Sequence, residues 1–407
     1  MAAIRYDQQD SHRRDCPATV TGCTLRADGD YDITLDATVL YPEGGGQPAD
    51  TGTLAAGDVA VPVTHVREQE GEVYHRTPRP LEPGRQVTCT LDWDRRLDHI
   101  QQHTGEHILS HAAWQLLGVE NVGFHLGSRL STIDLTRPLT PEELDRVEGA
   151  ANAQVFANRP ITARLVRQGE LKQLKLRKTV QDIPGDLRVV EIEGGDRCTC
   201  CGTHAHHTGE VGLIKVLRQE SHKGGARLSF LCGGRALADY QQKHRITQEA
   251  GAVFSAQEEG ILPAIHRLRE ESAATGARLR QATGRLMDYR AGELLAAARE
   301  RGGQRALVAV EAGCPPKEAR VLLNKLLETP DLVVCLVSEW EGQLGYLVGR
   351  SPGSPADCRF LCDLLGGLLG GRGGGKDNFC QGSAKAAPGW QESAALVLDS
   401  MLRQLEQ

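Results

Sequence analysis

Two short motifs, far apart in this chain, most narrow the ways it can fold. In HIQQHTGEHILSHAAWQLLG, residues 99–118, the side chains of Ile100, His103, His107, Ile108, His111 and Leu116 fall at helical offsets, and Gly118 supplies a stop. His103 and His107 therefore project from one helix face, one turn apart, as two ligands of a tetrahedral ion would. Far downstream, CTCCGTHAHH at residues 198–207 crowds three cysteines and three histidines together. A thiolate and the His204 imidazole, separated by a flexible glycine, can fold inward there and complete a four-ligand N/S set. One ion shared by both motifs would force a helix and a distant loop onto each other. Each motif alone has a blander reading: a histidine pair by coincidence, or a redox loop, since Cys198 and Cys201 form a CxxC, although without the usual βαβ strand before it. The helical pair is not the peptidase arrangement, because Thr104 and not a glutamate follows His103.

At 407 residues the chain exceeds one ordinary core, and size scaling predicts about two or three domains. A formal charge of -6 excludes a uniformly basic nucleic-acid binder, so any polyanion must be met by a local patch. The N-terminal residues lack the apolar core of an export signal, and no apolar run reaches the roughly 18 residues of a spanning helix. A soluble, cytoplasmic protein without a membrane partner is expected. The twelve cysteines, scattered over a long chain, read as free thiols and metal ligands rather than a disulfide framework.

The periodicity predicts an α+β fold. Residues 1–95 alternate in short runs (YDITLDATVLY, VAVPVTHV, QVTCTLDW) and read as an antiparallel sheet or small barrel. Residues 96–235 mix helices and strands around the candidate ligands. A second helix starts after Thr140, where Pro141 suits the first turn and Glu143 completes a capping box. Residues 159–178 carry seven basic residues, either a solvated face or a phosphate-binding patch. Residues 236–300 read as a helical spacer with an apolar stripe, and 301–407 as a last α/β domain with a hairpin turning at Glu341-Gly342 and a glycine loop, GGRGGGKDNFCQGS.

These residues together carry a resemblance. HxxxH at His103/His107, CxGTH at Cys200/His204, TGEVGLIKV at 208–216 and TVLYPEGGGQPADTG at 38–52 resemble, in order and spacing, the editing domain of alanyl-tRNA synthetase. The glycine loop at 370–383 resembles the signature of the DHHA1 domain that ends those enzymes, although Lys376 is followed by Asp377, not the Ser or Thr of a P-loop. No room precedes the editing-like motif for an aminoacylation core, so the chain is similar to free-standing editing proteins of the AlaX type in their long form. The resemblance implies one Zn²⁺ per chain on His103, His107, Cys200 and His204; its register and the spacing to His204 favour Cys200 over Cys201. It implies a hydrolase for tRNA(Ala) mischarged with serine, and possession of a site for glycine esters stays open. It further implies that Thr38 recognises the serine hydroxyl, that Gln47 lies near the reacting ester, that Arg372 and Lys376 contact tRNA, and that the helical spacer or the C-terminal domain pairs two copies as a homodimer. Rival readings are editing of another aminoacyl-tRNA, since the threonyl system shares HxxxH and CxxxH, or a tRNA-binding regulator with structural zinc. EGGGQP and the DHHA1-like tail favour the alanine system.

Overall fold

A computed structural model describes residues 3–171, 173–178 and 186–405. Lys172 of the basic run lies outside the described residues. The chain divides into two compact units, Met1–Glu249 and Ala250–Gln407.

After a short strand, Ile4–Arg5, that pairs with Ala37–Thr38, and a helical turn, Tyr6–Gln9, the first unit carries strands β1 (Asp15–Leu25), β2 (Tyr31–Leu35), β3 (Gly52–Ala56), β4 (Val59–Val63), β5 (His65–Gln69), β6 (Glu72–Thr77) and β7 (Gln86–Leu91). They form one sheet in the order β4-β3-β7-β1-β2-β6-β5, antiparallel throughout. Alternation decides which face is inside: Cys16, Ala18 and Val20 of β1 are buried while Asp15 and Pro17 are exposed. β1 pairs with β7 through Asp15 to Thr19 and with β2 from Val20 onward, and its register shifts between Val20 and Gly22. That irregularity bends one long strand between two halves and curls the sheet around its apolar face. The end strands β4 and β5 do not pair with each other, so the barrel expected from the alternation is an open half-barrel.

Helix α1 (Trp93–Leu117) follows, capped by Asp92 and ended by Gly118 in the left-handed conformation. β8 (Asn121–Leu126), β9 (Ser131–Leu135), β13 (Ile214–His222) and β14 (Gly225–Cys232) make a four-stranded antiparallel sheet in the order β8-β9-β14-β13. Between them lie α2 (Pro141–Phe156), with the Thr140–Glu143 capping box in place, and a three-stranded sheet of β10 (Ile161–Val166), β11 (Leu187–Ile192) and β12 (Arg197–Thr199). Ile108, Leu109, Ala112 and Ala113 of α1 pack with Val147 and Ala151 of α2 and with Leu228 and Phe230 of β14. From His99 to Ala113 only Gln101 of α1 escapes burial, so its histidines are shielded from solvent; His103 and His107 find partners inside, whereas both ring nitrogens of His111 lack a hydrogen bond among the described residues.

The start of α1 is locked to the EGGGQPAD segment by a buried ion pair. Arg96 and Asp50 are both fully enclosed; the guanidinium bonds the carboxylate and also donates to the carbonyls of Ser11 and Val39, each at 2.7 Å. Asp50 in turn accepts the Tyr41 N–H at 2.8 Å.

Helix α3 (Gly233–Phe254) runs into the second unit, where α4 (Glu258–Leu295) follows. Ile265, Leu268, Leu279, Leu286 and Tyr289 of α4 are exposed, whereas Met287 and Ala291 join the core. The unit's sheet comprises β15 (Arg299–Arg301), β16 (Gln304–Ala312), β17 (Leu332–Trp340), β18 (Gln343–Arg350), β19 (Arg372–Lys376) and β20 (Phe379–Lys385), ordered β15-β16-β17-β18-β20-β19. Only β16 and β17 are parallel, joined by α5 (Pro316–Leu326). β17 and β18 turn at Glu341-Gly342, both at positive φ, as that pair of residues predicts. α6 (Cys358–Leu369), α7 (Trp390–Ala395) and α8 (Val397–Gln404) complete the unit. The glycine stretch is not a loop: it is a hairpin at the sheet edge, with Arg372 and Lys376 at the two ends of exposed β19. Gly382 lies against the buried Tyr346 ring, where any Cβ would collide. Close packing therefore accounts for that glycine without a phosphate.

Candidate metal centre

α1 delivers His103 and His107 to the interior, and the loop after β12 delivers Cys200 and His204 beside them. The Cys200 Sγ lies 3.4 Å from His103 Nε2 and 3.3 Å from His204 Nε2. The three imidazole centroids are 4.6 to 5.3 Å apart, and one donor atom from each of the four residues lies within 4.8 Å of every other. Zinc bonds of the usual length in a tetrahedron separate neighbouring donors by about 3.3–3.8 Å, so three nitrogens and one sulfur at these spacings can hold such an ion. The cluster contains Cys200; Cys201 is exposed at its rim.

Protonation at Cys200 and His204 agrees with a ligand role. Burial opposes ionisation of Cys200, but the His103 and His204 imidazoles outweigh it and hold the thiol well below its ordinary value. Burial pushes His204 down to about 3, leaving its imidazole neutral. Burial opposes charge on His107, but Cys198, Glu106 and Asp196 outweigh it and raise that imidazole well above its ordinary value, so an incoming ion must displace a proton there to meet the thiolate and neutral imidazoles that metal binding requires.

Each helical histidine is aimed by a hydrogen bond from its far nitrogen. His103 Nδ1–H donates to Gln47 Oε1 at 2.8 Å. The Gln47 amide is oriented by Thr203, whose N–H it accepts at 3.1 Å and to whose hydroxyl it donates at 2.9 Å. His107 Nδ1–H donates to Asp196 at 3.0 Å, and Asp196 is held by Arg177 at 2.7 and 2.8 Å. Both rings thus present Nε2 lone pairs to the cluster, the arrangement that fixes metal-binding tautomers. Asp196→Asn should lower metal affinity about 10- to 100-fold, measured by chelator competition, with the fold intact. An unchanged affinity would remove Asp196 from the centre.

The loop is held from behind. Arg188 donates to the carbonyls of Cys200 and Gly202, both at 2.9 Å, and Ser11 Oγ accepts the His204 N–H at 3.1 Å. Gly202 sits against the His103 ring, in space that a Cβ would need. A cavity of about 350 Å³ opens beside the cluster, lined among others by Gly45, Glu106, Phe124, Arg177, Lys178 and Arg188. Glu106 is fixed there by Ser110 and Asn121, each donating at 2.7 Å.

Of the other residues singled out from sequence, Gln47 lies behind His103 as described. Thr38 is fully buried next to β2: its hydroxyl is 2.9 Å from His75 Nε2 and accepts the Leu40 N–H at 3.0 Å, and it does not line the cavity. Because the other His75 nitrogen bonds the Ile33 carbonyl, the Thr38 hydroxyl donates to His75.

Comparison with known proteins places this geometry. Residues 23–95 match the model for class II (A) tRNA synthetases, and residues 187–228 match the second additional domain of threonyl and alanyl tRNA synthetases. The alanyl-tRNA editing protein Aarsd1 of Rattus norvegicus is 33% identical over 278 residues, covering 64% of this chain and 66% of the rat protein. The chain belongs to the alanyl-tRNA editing family. Its match to the Aarsd1 protein of Mus musculus has the same extent, so the alignment spans just under two thirds of these relatives. The alanine–tRNA ligase of Methanoregula boonei is 33% identical over 358 residues, 86% of this chain but 38% of the ligase. The C-Ala domain of Aquifex aeolicus alanyl-tRNA synthetase aligns with 26% of this chain at 23% identity and a TM-score of 0.24, a likeness in shape too slight to build on. Among the described residues of this family member, no helix is long and apolar enough to cross a membrane.

Sequence reasoning missed Asp196, Arg188 and Ser11, which orient or brace the ligands, and it gave Arg177 only to the basic run. The one available signal was Asp196 two positions before Cys198, too common a spacing to single out.

Proposed function

We propose that this chain is a trans-editing hydrolase that removes serine from mischarged tRNA(Ala). The observation that carries this reading is the preoriented His103, His107, Cys200 and His204 cluster in the wall of a cavity of about 350 Å³, large enough for an aminoacyl group and part of a ribose. Zinc suits the three-nitrogen, one-sulfur donor set, and when bound would supply a Lewis-acid centre beside the ester. Glu106, held with its carboxylate on the cavity wall, is placed to take a proton from water attacking the carbonyl carbon. The ester carbon–oxygen bond then breaks and the leaving ribose oxygen takes up that proton, releasing serine and the free ribose hydroxyl of the tRNA. Lys178 and Arg188 at the same cavity favour an anionic substrate end, and Arg372 and Lys376 at the ends of β19 are the proposed phosphate contacts in the second unit. The exposed stripe of α4 is the surface proposed to pair two copies.

Rejecting alanine needs a polar group that the smaller side chain would leave unpaired. Thr38 is proposed for that role, and its bond to His75 gives it a competing structural one. The decisive measurement compares deacylation of Ser-, Gly- and Ala-charged tRNA(Ala) and Ser-charged tRNA(Ser). Selective loss of serine from tRNA(Ala) is expected; tRNA binding with no turnover of any ester would refute the hydrolase reading. In the same assay Thr38→Val should narrow the preference for serine over alanine, and unchanged selectivity assigns Thr38 to packing alone.

A further inference from the structure

The stretch CTCCGTHAHH contains two histidines that the cluster leaves unused, His206 and His207. His206 faces a separate set of donors brought by the N-terminal segment. Its Nε2 lies 2.9 Å from Asp10 Oδ1, and its ring stacks on that of His12 with centroids 3.8 Å apart. His12 Nε2 lies 2.6 Å from Glu210 Oε2. Asp10, His12 and His206 each offer a donor atom within 4.8 Å of the others.

The two carboxylates are already aimed. Glu210 Oε1 accepts the backbone N–H groups of His206 and His207 at 3.0 and 2.9 Å, which leaves Oε2 to face His12. Asp10 Oδ1 accepts the His12 N–H at 2.9 Å, so its position relative to both rings is set by the backbone. His12 Nδ1 is buried and has no hydrogen-bond partner.

We propose that Asp10, His12 and His206 form a second divalent-cation site, with Glu210 steadying the His12 ring beside it. A mixed imidazole and carboxylate set without sulfur suits a first-row ion such as Zn²⁺. Ordinary histidine–carboxylate hydrogen bonds would use these groups in pairs; an ion uses all three together and draws the stacked rings apart to share it. The ligands come from residues 10–12 and from His206, so the ion clips the N-terminal segment to the loop that carries His204. The Ser11 contact to the His204 N–H lies between the two sites. None of these residues belongs to the first cluster, and the inference is independent of the reaction proposed above.

The test is metal stoichiometry of the full chain after equilibrium dialysis against low-micromolar Zn²⁺. Wild type should hold two ions, His206→Gln and His12→Ala one each, Cys200→Ala one, and the Cys200→Ala, His206→Gln double variant none. Co²⁺ as a probe separates the sites, because only the first contains a thiolate; the thiolate-to-metal absorption should vanish in Cys200→Ala and persist in His206→Gln. Asp10, His12 and His206 are at least partly exposed, so these substitutions spare the core, and circular dichroism checks it. A wild-type protein that holds one ion, or a His206→Gln protein that still holds two, overturns the proposal.

Discussion

Cys200→Ala should strip the ion from the His103, His107 and His204 cluster and leave less than about one hundredth of the deacylase activity, a loss larger than that of an outer hydrogen-bond partner. The Cys200 sulfur lies within 3.4 Å of both a helical imidazole and the loop imidazole, so its removal opens the set between its two halves. The variant should still fold, because the loop keeps its Arg188 and Ser11 anchors and Gly202 keeps its place against His103. Elemental analysis, melting temperature and Ser-tRNA(Ala) hydrolysis measured on one preparation check the claim. Full activity in a protein lacking the ion would end the hydrolytic reading of the cluster.

The second large effect is on stability. Arg96→Met leaves Asp50 ionised in the interior with only the Tyr41 N–H and should cost about 3–5 kcal/mol. For a unit of this size that is a melting temperature lower by roughly 6–20 °C. Burial already raises the Asp50 carboxyl above its usual range against the opposing pull of Arg96. Without the guanidinium it should rise further, so the folded variant binds a proton more tightly than the unfolded chain. Stability is then greater below the folded pKa and is lost as pH rises through it, so the deficit should shrink on going from pH 8 to pH 5. Arg96→Met with Asp50→Leu should recover much of the loss, because both charges are gone. A single variant as stable as wild type at pH 8, measured by urea unfolding, would show that the pair is dispensable.

Features set by neighbours in the chain were legible from the residues alone. The α1 period, its Gly118 stop, the Thr140–Glu143 capping box and the Glu341-Gly342 turn each depend on a handful of adjacent side chains. The meeting of His103 and His107 with Cys200 and His204 was legible for a different reason: metal chemistry demands four donors, and only those two motifs complemented each other. What escaped depended on tertiary contact. Whether the first sheet closes is decided by a register shift within β1 and by the separation of its end strands, neither of which leaves a mark in the alternation. The glycine hairpin lacked the side chains that make a strand visible, and its fit against Tyr346 shows only in three dimensions. Asp196 and Ser11 lie in irregular segments and Arg188 in strand β11, and the value of all three comes wholly from what they touch.

The distance along the chain between the two ligand pairs has a consequence for synthesis. A nascent polypeptide that has emerged only as far as α1 owns two of the four clustered donors, His103 and His107, and lacks the Cys200 thiolate, and the half-barrel behind them can form without any ion. Tight loading must wait until the ribosome has released the strand and loop after residue 197. Acquisition of the metal is therefore a late event in the maturation of the first unit, and it rewards only those molecules whose early and late halves have already found each other.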